Sequence, residues 1–451
     1  MKLSIRTYMP VMLLLAAQTL SAQTVPVPLP AARTAPADTS LSLAEARASA
    51  LAKSAAVRKY TLAVQEASLV KQAQQYQALP SLDAAGSAAY DVPGTSSSGI
   101  TASADLSAGA TVFDGGKNMM LSKKYDYALQ GARADLRAGR ITVIGSVDSA
   151  FYAVLEDKAS LEAAESDLAA AKLRLDIAQV KAEAGTLSKF DLLETQSEIA
   201  SYQAAADKAR TALVSARAKL ASLTGCPVTV QPAPVDFSTY GVLIQQLGTL
   251  DSGQLDAFAS SLVSSARTNS PSYSAYILAA KEADRTLAAA KAAVLPKLSA
   301  SLSGKLSAEA GELVTSAGVT LSASVDLDAW TLANTVKQAE NLYDQAQTDT
   351  AGQGETLDLD VTQAVYSWIS AAVAIPSCVT ALDYAKTNYE NVLEKFKLSS
   401  ATNSDVSTAQ ALVRTDENAL ISARYSFLSS LSTLRGLVGI EDDSGIINAV
   451  P

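Results

Sequence analysis

The side chains whose types and spacing could do chemistry in this chain are its carboxylates. The 451-residue sequence has no histidine, which is the commonest acid/base group and metal ligand in proteins. It also contains no phosphate-binding loop, nucleophile elbow or dinucleotide-binding fingerprint. Carboxylates alone can hydrolyse glycosides when two of them lie about 5–10 Å apart in a cleft. The sequence predicts long helical hairpins, which offer no such cleft, so we expect no enzyme, no metal site and no cofactor.

Two of the carboxylates share a local pattern. Asp191 stands three residues after Ser188, and Asp405 stands three residues after Thr402. This is the spacing of a helix capping box, with an acid in the first helical turn. A purely structural role at a helix start is therefore sufficient for both acids, and a second role is compatible with it.

The elements that position these two acids are present twice. Asp191 and Asp405 are 214 residues apart, and the same shift carries nine apolar positions of the first copy onto apolar positions of the second. The pairs are Val154–Trp368, Leu161–Ile375, Leu168–Leu382, Leu175–Tyr389, Leu192–Val406, Ile199–Val413, Ala206–Leu420, Leu213–Phe427 and Leu220–Leu434. One long-helix unit is therefore duplicated, and we place the repeats at 41–225 and 255–439.

The first 22 residues have the pattern of a secretory signal. Lys2 and Arg6 give a positive start, an apolar stretch follows, and residues 20–22 suit cleavage. The apolar run is shorter than the roughly 20 residues of a membrane-spanning helix, and we expect no later segment to reach that length. Residues 23–40, rich in proline, alanine and threonine, are predicted to be an extended linker.

The charge balance argues against nucleic acid as a partner. The chain has 36 basic and 45 acidic residues, and loss of Lys2 and Arg6 with the signal leaves 34 basic ones. Nucleic-acid binding requires a basic surface, which this balance does not supply. An acidic balance fits either a soluble surface or a pore lined with carboxylates.

The two cysteines, Cys226 and Cys378, are not expected to pair. In an exported protein a disulfide is the usual interpretation. The repeat, however, places these residues at heights that differ by about 30 Å, at roughly 1.5 Å per helical residue.

Each copy changes from helix to strand at a proline. A helical pattern at 43–78 ends at Pro80, and its counterpart at 255–294 ends at Pro296. Proline cannot continue a helix and biases the preceding residue to extended geometry. We therefore expect a corner of the same kind in both copies.

Beyond each proline the apolar period changes from 3.6 to 2. This change predicts one β-hairpin per copy, at 81–113 and 297–327, with polar turns at 93–99 and 307–312. A hairpin half-buried on a soluble core would show the same alternation, but the chain has no other β-rich segment to pack it on. Strands of about ten residues can also cross a bilayer when tilted, and we favour that interpretation.

Long helical patterns follow each hairpin. The predicted pairs are 116–184 with 187–224, and 330–398 with 402–437. The first helix of each pair would be roughly 100 Å long. Breaks or bends in these helices are expected at Gly139, Gly352, Gly354 and Pro376.

Two segments lie outside the repeats. Residues 226–254 contain three prolines and little periodicity, and we expect a connector packed on the outside of the helices. Residues 440–451 form a short tail that is expected to be loose.

Four strands per chain cannot close a membrane barrel. Open sheet edges in lipid leave backbone N–H and C=O groups unsatisfied. Known single-chain barrels start at about eight strands, so closure requires several chains. An eight-stranded barrel from two chains would be filled by side chains, whereas twelve strands from three chains can enclose an open channel.

The order of helix, proline, hairpin and long helix, present twice, resembles the TolC-type outer-membrane efflux protein family. The resemblance covers essentially the whole mature chain, from about Leu41 to Gly439. The local motifs that carry it are the corners Leu79-Pro80 and Leu295-Pro296, the segment Val112-Phe113-Asp114-Gly115-Gly116 and the turn from Ala184 to Leu193.

This resemblance implies a mainly α fold with a small membrane β part, in which long α-helical hairpins form a periplasmic tunnel. It implies a homotrimer whose four strands per chain contribute to a twelve-stranded barrel in outer-membrane lipid. It also implies two protein partners, a periplasmic adaptor (membrane fusion) protein and an inner-membrane pump. The chain would be a passive duct for efflux or type I secretion, in the outer membrane of a two-membrane bacterium.

The resemblance further implies a site at the lower end of the tunnel, where the helix turns would contact the adaptor. The turn residues are Gly185, Thr186, Leu187, Ser188, Ser399, Ser400, Ala401 and Thr402. An acid at the Asp405 position contributes in the family to a carboxylate ring that constricts the entrance, and Asp191 is its counterpart in the first repeat. Three symmetry-related carboxylates would raise each other's pKa.

The chain departs from the family pattern at three of these positions. Thr408 stands where the family has a second acid, and Ala401 replaces a basic residue that helps to lock the closed state. Ser399 takes the place of the glycine found as Gly185 in the first turn, so we expect the second turn to be built differently.

An exported coiled-coil scaffold or adhesin without a pore is the alternative function. It accounts for the heptads and the signal but not for the alternating hairpins that follow the prolines. A duct would fractionate with outer membranes and require detergent, whereas a scaffold would not. The sequence does not name the cargo, the pump or the adaptor.

Overall fold

The computed structural model describes residues 40–91, 99–309, 312–325 and 328–450. The predicted signal at 1–22, the linker up to residue 39 and most of the first hairpin turn lie outside the described residues. The elements, in chain order, are α1 (Leu43–Lys53), α2 (Ala55–Tyr76), β1 (Ser81–Asp91), β2 (Gly99–Phe113), α3 (Lys117–Glu183), α4 (Lys189–Thr224), a 3₁₀ turn (Phe237–Tyr240), α5 (Gly241–Thr249), α6 (Ser252–Asn269), α7 (Pro271–Ala292), β3 (Lys297–Glu309), β4 (Glu312–Ser324), α8 (Ala329–Lys397), α9 (Asn403–Val438) and α10 (Ser444–Ile447). The predicted mainly α fold with a small β part is confirmed.

Each of the two helices predicted to precede a proline corner, at 43–78 and 255–294, is divided into two helices in the structure. The expectation of one helix at 43–78 is wrong because the backbone turns extended at Ser54, with ψ at 118°. The Oγ of Ser54 then accepts the N–H of Val57 at 3.3 Å and caps α2. The expectation of one helix at 255–294 is wrong because Pro271 has no N–H to donate, and it begins α7 instead.

The four strands form one antiparallel sheet in the order β1-β2-β3-β4. Its register aligns apolar positions across the strands, with Ala108 opposite Leu302 and Leu302 opposite Val319. Asp105 lies opposite Lys305 on the other face, because successive side chains alternate between faces. Large side chains of the apolar face are exposed in the single chain, at 72% for Leu82, 69% for Leu313, 80% for Val319 and 68% for Leu321.

The helices next to the sheet are arranged in the same order as the strands. α2 leads into β1, α3 leaves β2, α7 leads into β3 and α8 leaves β4. Side by side, α2 packs on α3, α3 on α7, and α7 on α8. Further from the sheet, α4 packs on α3, and α9 packs on both α3 and α8. One edge of the chain is therefore made by β1, α2 and α4, and the other by β4 and α8.

The glycines of the long helices do not break them, so that expectation is wrong. α3 runs unbroken for 67 residues and α8 for 69, through Pro376 as well. A Cβ added to Gly139 would lie 2.5 Å from the ring of Tyr60 on α2. One added to Gly354 would lie 3.3 Å from the hydroxyl of Tyr273 on α7. These glycines admit a tyrosine from the neighbouring helix.

The largest buried side chain is Trp368 of α8, which stacks on Phe427 with ring centroids 5.8 Å apart. The expectation that no segment after the signal could span a membrane is wrong by length and composition. An 18-residue window of α8 has a mean hydropathy of 1.6, because residues 361–382 carry no charge. Core helices pass the same test, and Trp368 shows that this stretch of α8 contributes to the core.

The connector between the repeats contains the 3₁₀ turn and α5. Leu247 of α5 is 1% exposed, and the ring of Tyr240 packs edge-on against Phe427 at 5.6 Å. Cys226, where the connector begins, and Cys378 in α8 are both free thiols.

The C-terminal tail is anchored, so the expectation of a loose tail is wrong. Ile446 is fully buried, and Asp443 accepts a 2.8 Å ion pair from Arg435 of α9. Arg435 also pairs with Asp148 of α3, and Arg47 of α1 reaches the same carboxylate at 2.6 Å. We call these residues the Asp148 cluster; it joins α1, α3, α9 and the tail.

Candidate entrance site at the helix turns

The turn between α3 and α4 ends α3 with a left-handed glycine. Gly185 has φ +75°, its N–H donates to the carbonyl of Ala182, and the N–H of Thr186 donates to the carbonyl of Lys181 at 2.9 Å. This pair of hydrogen bonds is a Schellman motif, which satisfies the last carbonyls of the helix.

The turn between α8 and α9 is built in the same way, so the expectation of a different construction is wrong. Ser399 adopts φ +61°, its N–H donates to Phe396, and the N–H of Ser400 donates to the carbonyl of Lys395 at 2.8 Å. A left-handed non-glycine residue costs roughly 1–2 kcal/mol. Lys181 offsets part of this cost, because its Nζ donates to the Oγ of Ser399 at 3.1 Å.

Lys181 joins the two turns, and the sequence did not point to it. Its Nζ donates to the carbonyl of Phe396 and lies 4.3 Å from the centroid of the Phe396 ring. The ammonium is thus held by a carbonyl, a hydroxyl and an aromatic face. The sequence feature that could have identified Lys181 is its position in the last turn of α3, where a positive charge interacts favourably with the helix dipole.

Asp405 lies in the first turn of α9 and closes a full capping box with Thr402. The N–H of Asp405 donates to the Oγ1 of Thr402 at 3.2 Å, and the N–H of Thr402 donates to the carboxylate at 2.8 Å. Hydrogen bonds from the backbone and then the side chain of Thr402 hold the pKa of Asp405 below its usual value. The predicted rise between symmetry-related copies would act against this lowering and stays a prediction.

Asp191 is placed in the first turn of α4 by the equivalent cap. Its N–H donates to the Oγ of Ser188 at 3.1 Å, and that hydroxyl donates to its carboxylate at 2.8 Å. Asp191 and Asp405 thus belong to different turns. In the turn between α3 and α4, Leu187 is half-buried, whereas Gly185, Thr186 and Ser188 are exposed.

A groove between the end of α8 and the start of α9 brings several of the predicted residues together. Asp405, Thr408, Ala401 and Ser400 line it with Lys395. Thr408 is exposed and donates its Oγ1 to the carbonyl of Ser404 at 2.8 Å. The groove presents one carboxylate and one ammonium to solvent, which is a surface for polar contacts.

Behind the turns, polar side chains link α3 and α4 to α9. Glu198 of α4 pairs with the fully buried Arg174 of α3 and accepts a hydrogen bond from Ser407 of α9. Closer to the core, Gln410 donates to the carbonyl of Asp167 at 3.0 Å. Burial raises the pKa of Asp167 to about 6, against the opposing effect of Arg414.

The two predicted corners lie at the sheet end of the helices. Pro80 and Pro296 follow the last turns of α2 and α7 and precede β1 and β3. At the nearby junction of β2 and α3, Gly115 has φ +70° and approaches α7 so closely that a Cβ would lie 2.7 Å from the carbonyl of Ala292. Only glycine fits such a position.

Within the described ranges, no group of three or more histidine, cysteine, aspartate or glutamate residues could hold a metal ion.

The sequence profile of the family described as outer membrane efflux protein matches residues 42–226 and 262–440. No curated protein sequence matches the chain. Among solved structures, the fold is similar to CusC, with 16% identity, TM-score 0.77, and coverage of 88% of this chain and 92% of that one. It is similar to VceC of Vibrio cholerae, with 16% identity, TM-score 0.74, and coverage of 88% and 96%. It is also similar to CmeC of Campylobacter jejuni, with 16% identity, TM-score 0.74, and coverage of 90% and 88%.

The family match covers both repeats and leaves out the start of the chain and most of the connector. CusC is described in terms of transmembrane channel formation, CmeC as an outer membrane channel, and VceC as an outer membrane protein. The resemblance inferred from the duplicated helix, hairpin and long-helix order is thereby confirmed, and the chain belongs to the outer membrane efflux protein family.

Proposed function

We propose that this protein is the outer-membrane duct of a tripartite efflux or type I secretion system. Three copies form a passive channel, and a periplasmic adaptor and an inner-membrane pump deliver the substrate to it. The observation that carries the proposal is the sheet, which has an exposed apolar face and two open edges.

The exposed apolar face requires a covering that the single chain does not supply. Val319 and Leu82 are 80% and 72% exposed on it, and each leucine or valine moved out of water is worth about 1.5–3 kcal/mol. A lipid bilayer supplies such a covering, and the strands of 11 to 15 residues are long enough to cross one.

The open edges of the sheet require further copies of the chain. In lipid, the free N–H and C=O groups along β1 and β4 would each cost several kcal/mol, so the edges must be paired. Pairing β4 of one chain with β1 of the next closes the sheet. Three chains give about twelve strands, wide enough for a channel.

The helix turns are the entrance of this channel. Three Asp405 carboxylates at the α8–α9 turns form the constriction, which favours cations over anions. The residues of both turns, from Gly185 to Ser188 and from Ser399 to Thr402, contact the adaptor.

Two measurements test the proposal. The mature protein is expected in the outer-membrane fraction, to require detergent, and to form channels in planar bilayers. The Asp405→Ala variant is expected to raise conductance and lower cation selectivity. Asp191→Ala is the matched comparison, because it removes the acid at the corresponding position of the other turn, where Ser188 remains as the cap.

Two results would contradict the proposal. A mature protein that stays monomeric in water without detergent would favour the coiled-coil scaffold. Unchanged conductance and selectivity in Asp405→Ala would remove Asp405 from the constriction.

A further inference from the structure

A cavity of about 360 Å³ lies between α3, α4 and α9. Its α3 wall extends from Asp157 to Asp167, so the cavity is situated between the Asp148 cluster and the helix turns and belongs to neither. Alanines of two neighbouring helices leave the space open, namely Ala163 and Ala164 of α3 and Ala205, Ala209 and Ala212 of α4. A volume of this size suits a small organic ligand.

Asp167 places a buried negative charge at the wall of this cavity. The residue is 7% exposed, which makes it more than nine-tenths buried. Among the described residues its carboxylate takes part in no ion pair, and its hydrogen bonding is limited to a minor contribution from the amide of Gln410. Burial therefore raises the pKa of Asp167 to about 6. Because a buried carboxylate without a counter-charge is costly, a cationic group that enters the cavity would stabilise it.

Arg414 of α9 presents a positive charge to the same cavity. Its guanidinium lies over the ring of Tyr202 of α4, 5.5 Å from the ring centroid, and Tyr202 itself is 6% exposed. The guanidinium attracts the carboxylate of Asp167 without forming an ion pair with it. Within the part of the chain that the structure describes, Arg414 donates no hydrogen bond, so its N–H groups are available to bind a carboxylate in bidentate geometry.

The charges that line the cavity balance each other. Two are acidic, Asp157 and Asp167, and two are basic, Lys208 and Arg414. A ligand with only a positive charge would be repelled by the bases, and a ligand with only a negative charge by the acids. A zwitterion avoids both penalties, and an apolar group on it would contact the alanines. The lining therefore favours a small molecule that carries an ammonium, a carboxylate and an apolar side chain.

We propose that this cavity binds a free α-amino acid with an apolar side chain. Asp167 accepts hydrogen bonds from its ammonium group, and Arg414 donates to its carboxylate. The two charges of an α-amino acid are close together, which suits two protein groups that attract each other across the cavity. The apolar side chain packs against the alanines of α3 and α4.

A ligand bound in this way connects the two repeats of one chain. Asp167 is on α3, which belongs to the first repeat, whereas Arg414 is on α9, which belongs to the second. The bound amino acid bridges these helices and stabilises their contact, because it binds only the folded arrangement. The inference goes beyond the proposed function, since a passive duct requires no ligand of its own at this place.

Calorimetric titration of the detergent-solubilised full chain tests the ligand class. Leucine is the probe, and two derivatives of it each lack one charge. Leucinamide has no carboxylate, and N-acetylleucine has no ammonium. Leucine is expected to bind about tenfold or more tightly than either derivative, because each derivative loses a charge-assisted hydrogen-bonding contact.

Variants of the chain test the residues. Asp167→Asn and Arg414→Gln are each expected to lower the affinity for leucine by about tenfold or more. Asp176→Asn and Arg210→Gln make the same changes at exposed positions of α3 and α4 outside the cavity and are expected to leave the affinity unchanged. Ala209→Leu fills the cavity without altering a charge and is expected to abolish binding. Helical circular dichroism of each variant checks that it is folded.

Three results would overturn the inference. The first is a folded protein that does not bind leucine at millimolar concentration. The second is equal binding of leucine, leucinamide and N-acetylleucine. The third is unchanged leucine binding in a folded Asp167→Asn variant, which is informative because this substitution removes an unfavourable buried charge. None of these results bears on the duct, whose tests are membrane fractionation and conductance.

Discussion

The Asp148 cluster supports a prediction that can be worked out from contacts. The carboxylate of Asp148 is fully buried and accepts hydrogen bonds from Arg47 at 2.6 and 2.9 Å and from Ser432 at 2.7 Å, besides its pairing with Arg435. The substitution Asp148→Asn keeps the volume but removes the charge and places an NH₂ group among these donors.

The expected loss of stability follows from the arginines that remain. Arg435 is 1% exposed, and removing the partner of a buried charge costs about 3–5 kcal/mol. Asp443 stays close to both Arg435 and Arg47, at 2.8 and 3.6 Å, so the lower end of this range is expected. Over about 400 residues, an unfolding entropy of roughly 2.1 cal/mol/K per residue converts a loss of about 3 kcal/mol into a Tm lowered by about 4 °C.

The assay is thermal unfolding of the detergent-solubilised protein, followed by helical circular dichroism. Asp126→Asn is the matched control, because it makes the same change in the part-exposed Asp126–Lys71 pair, where about 1 kcal/mol or less is expected. If Asp148→Asn lowers Tm no more than Asp126→Asn does, the cluster is not a buried, charge-dependent anchor and the reasoning is refuted.

Three further predictions use the same unfolding assay. Burial raises the pKa of Asp167 to about 6, so ionisation of this carboxyl lowers the free energy of unfolding above that pH, and this loss of stability fades as pH falls toward 4. Asp167→Asn should therefore raise the free energy of unfolding by roughly 1–2 kcal/mol at pH 7 and have little effect at pH 4. Gly139→Ala should destabilise by about 1–3 kcal/mol, because its Cβ would overlap the ring of Tyr60, whereas Gly131→Ala, with open space around it, should be neutral or stabilising. Ser399→Gly should stabilise by up to about 1 kcal/mol, because relief of the left-handed backbone exceeds the loss of one exposed hydrogen bond; a lower Tm would contradict this.

The sequence predicted those features that depend on local signals repeated at a fixed interval. The change of apolar period after Pro80 and Pro296 identified both hairpins, because a proline and a two-residue alternation are each readable within about ten residues. The capping spacing before Asp191 and Asp405 placed both helix starts for the same reason. The paired order β2-β3, which joins the repeats, is a contact between distant segments and required the structure.

Three of the wrong expectations have the same physical cause, which is that contacts between distant segments override the local sequence signal. Gly139 was expected to weaken a helix, but tertiary contact with Tyr60 overrides helix propensity there. Ser399 was expected to avoid the left-handed region, but the Schellman hydrogen bonds and Lys181 hold it in place. The loose tail was expected because the segment is short, and its sequence alone does not show that Asp443 pairs with the buried Arg435.

The two tyrosine–glycine contacts differ slightly between the repeats. Tyr60 and Tyr273 are 213 residues apart, whereas Gly139 and Gly354 are 215 apart. Because the helices are antiparallel, both members of the second pair have moved by one residue in the same direction, about 1.5 Å away from the sheet. The glycine and the tyrosine ring that packs against it are therefore displaced together. The shape complementarity of the two helices is the same in both repeats, although the residue positions within the repeat are not.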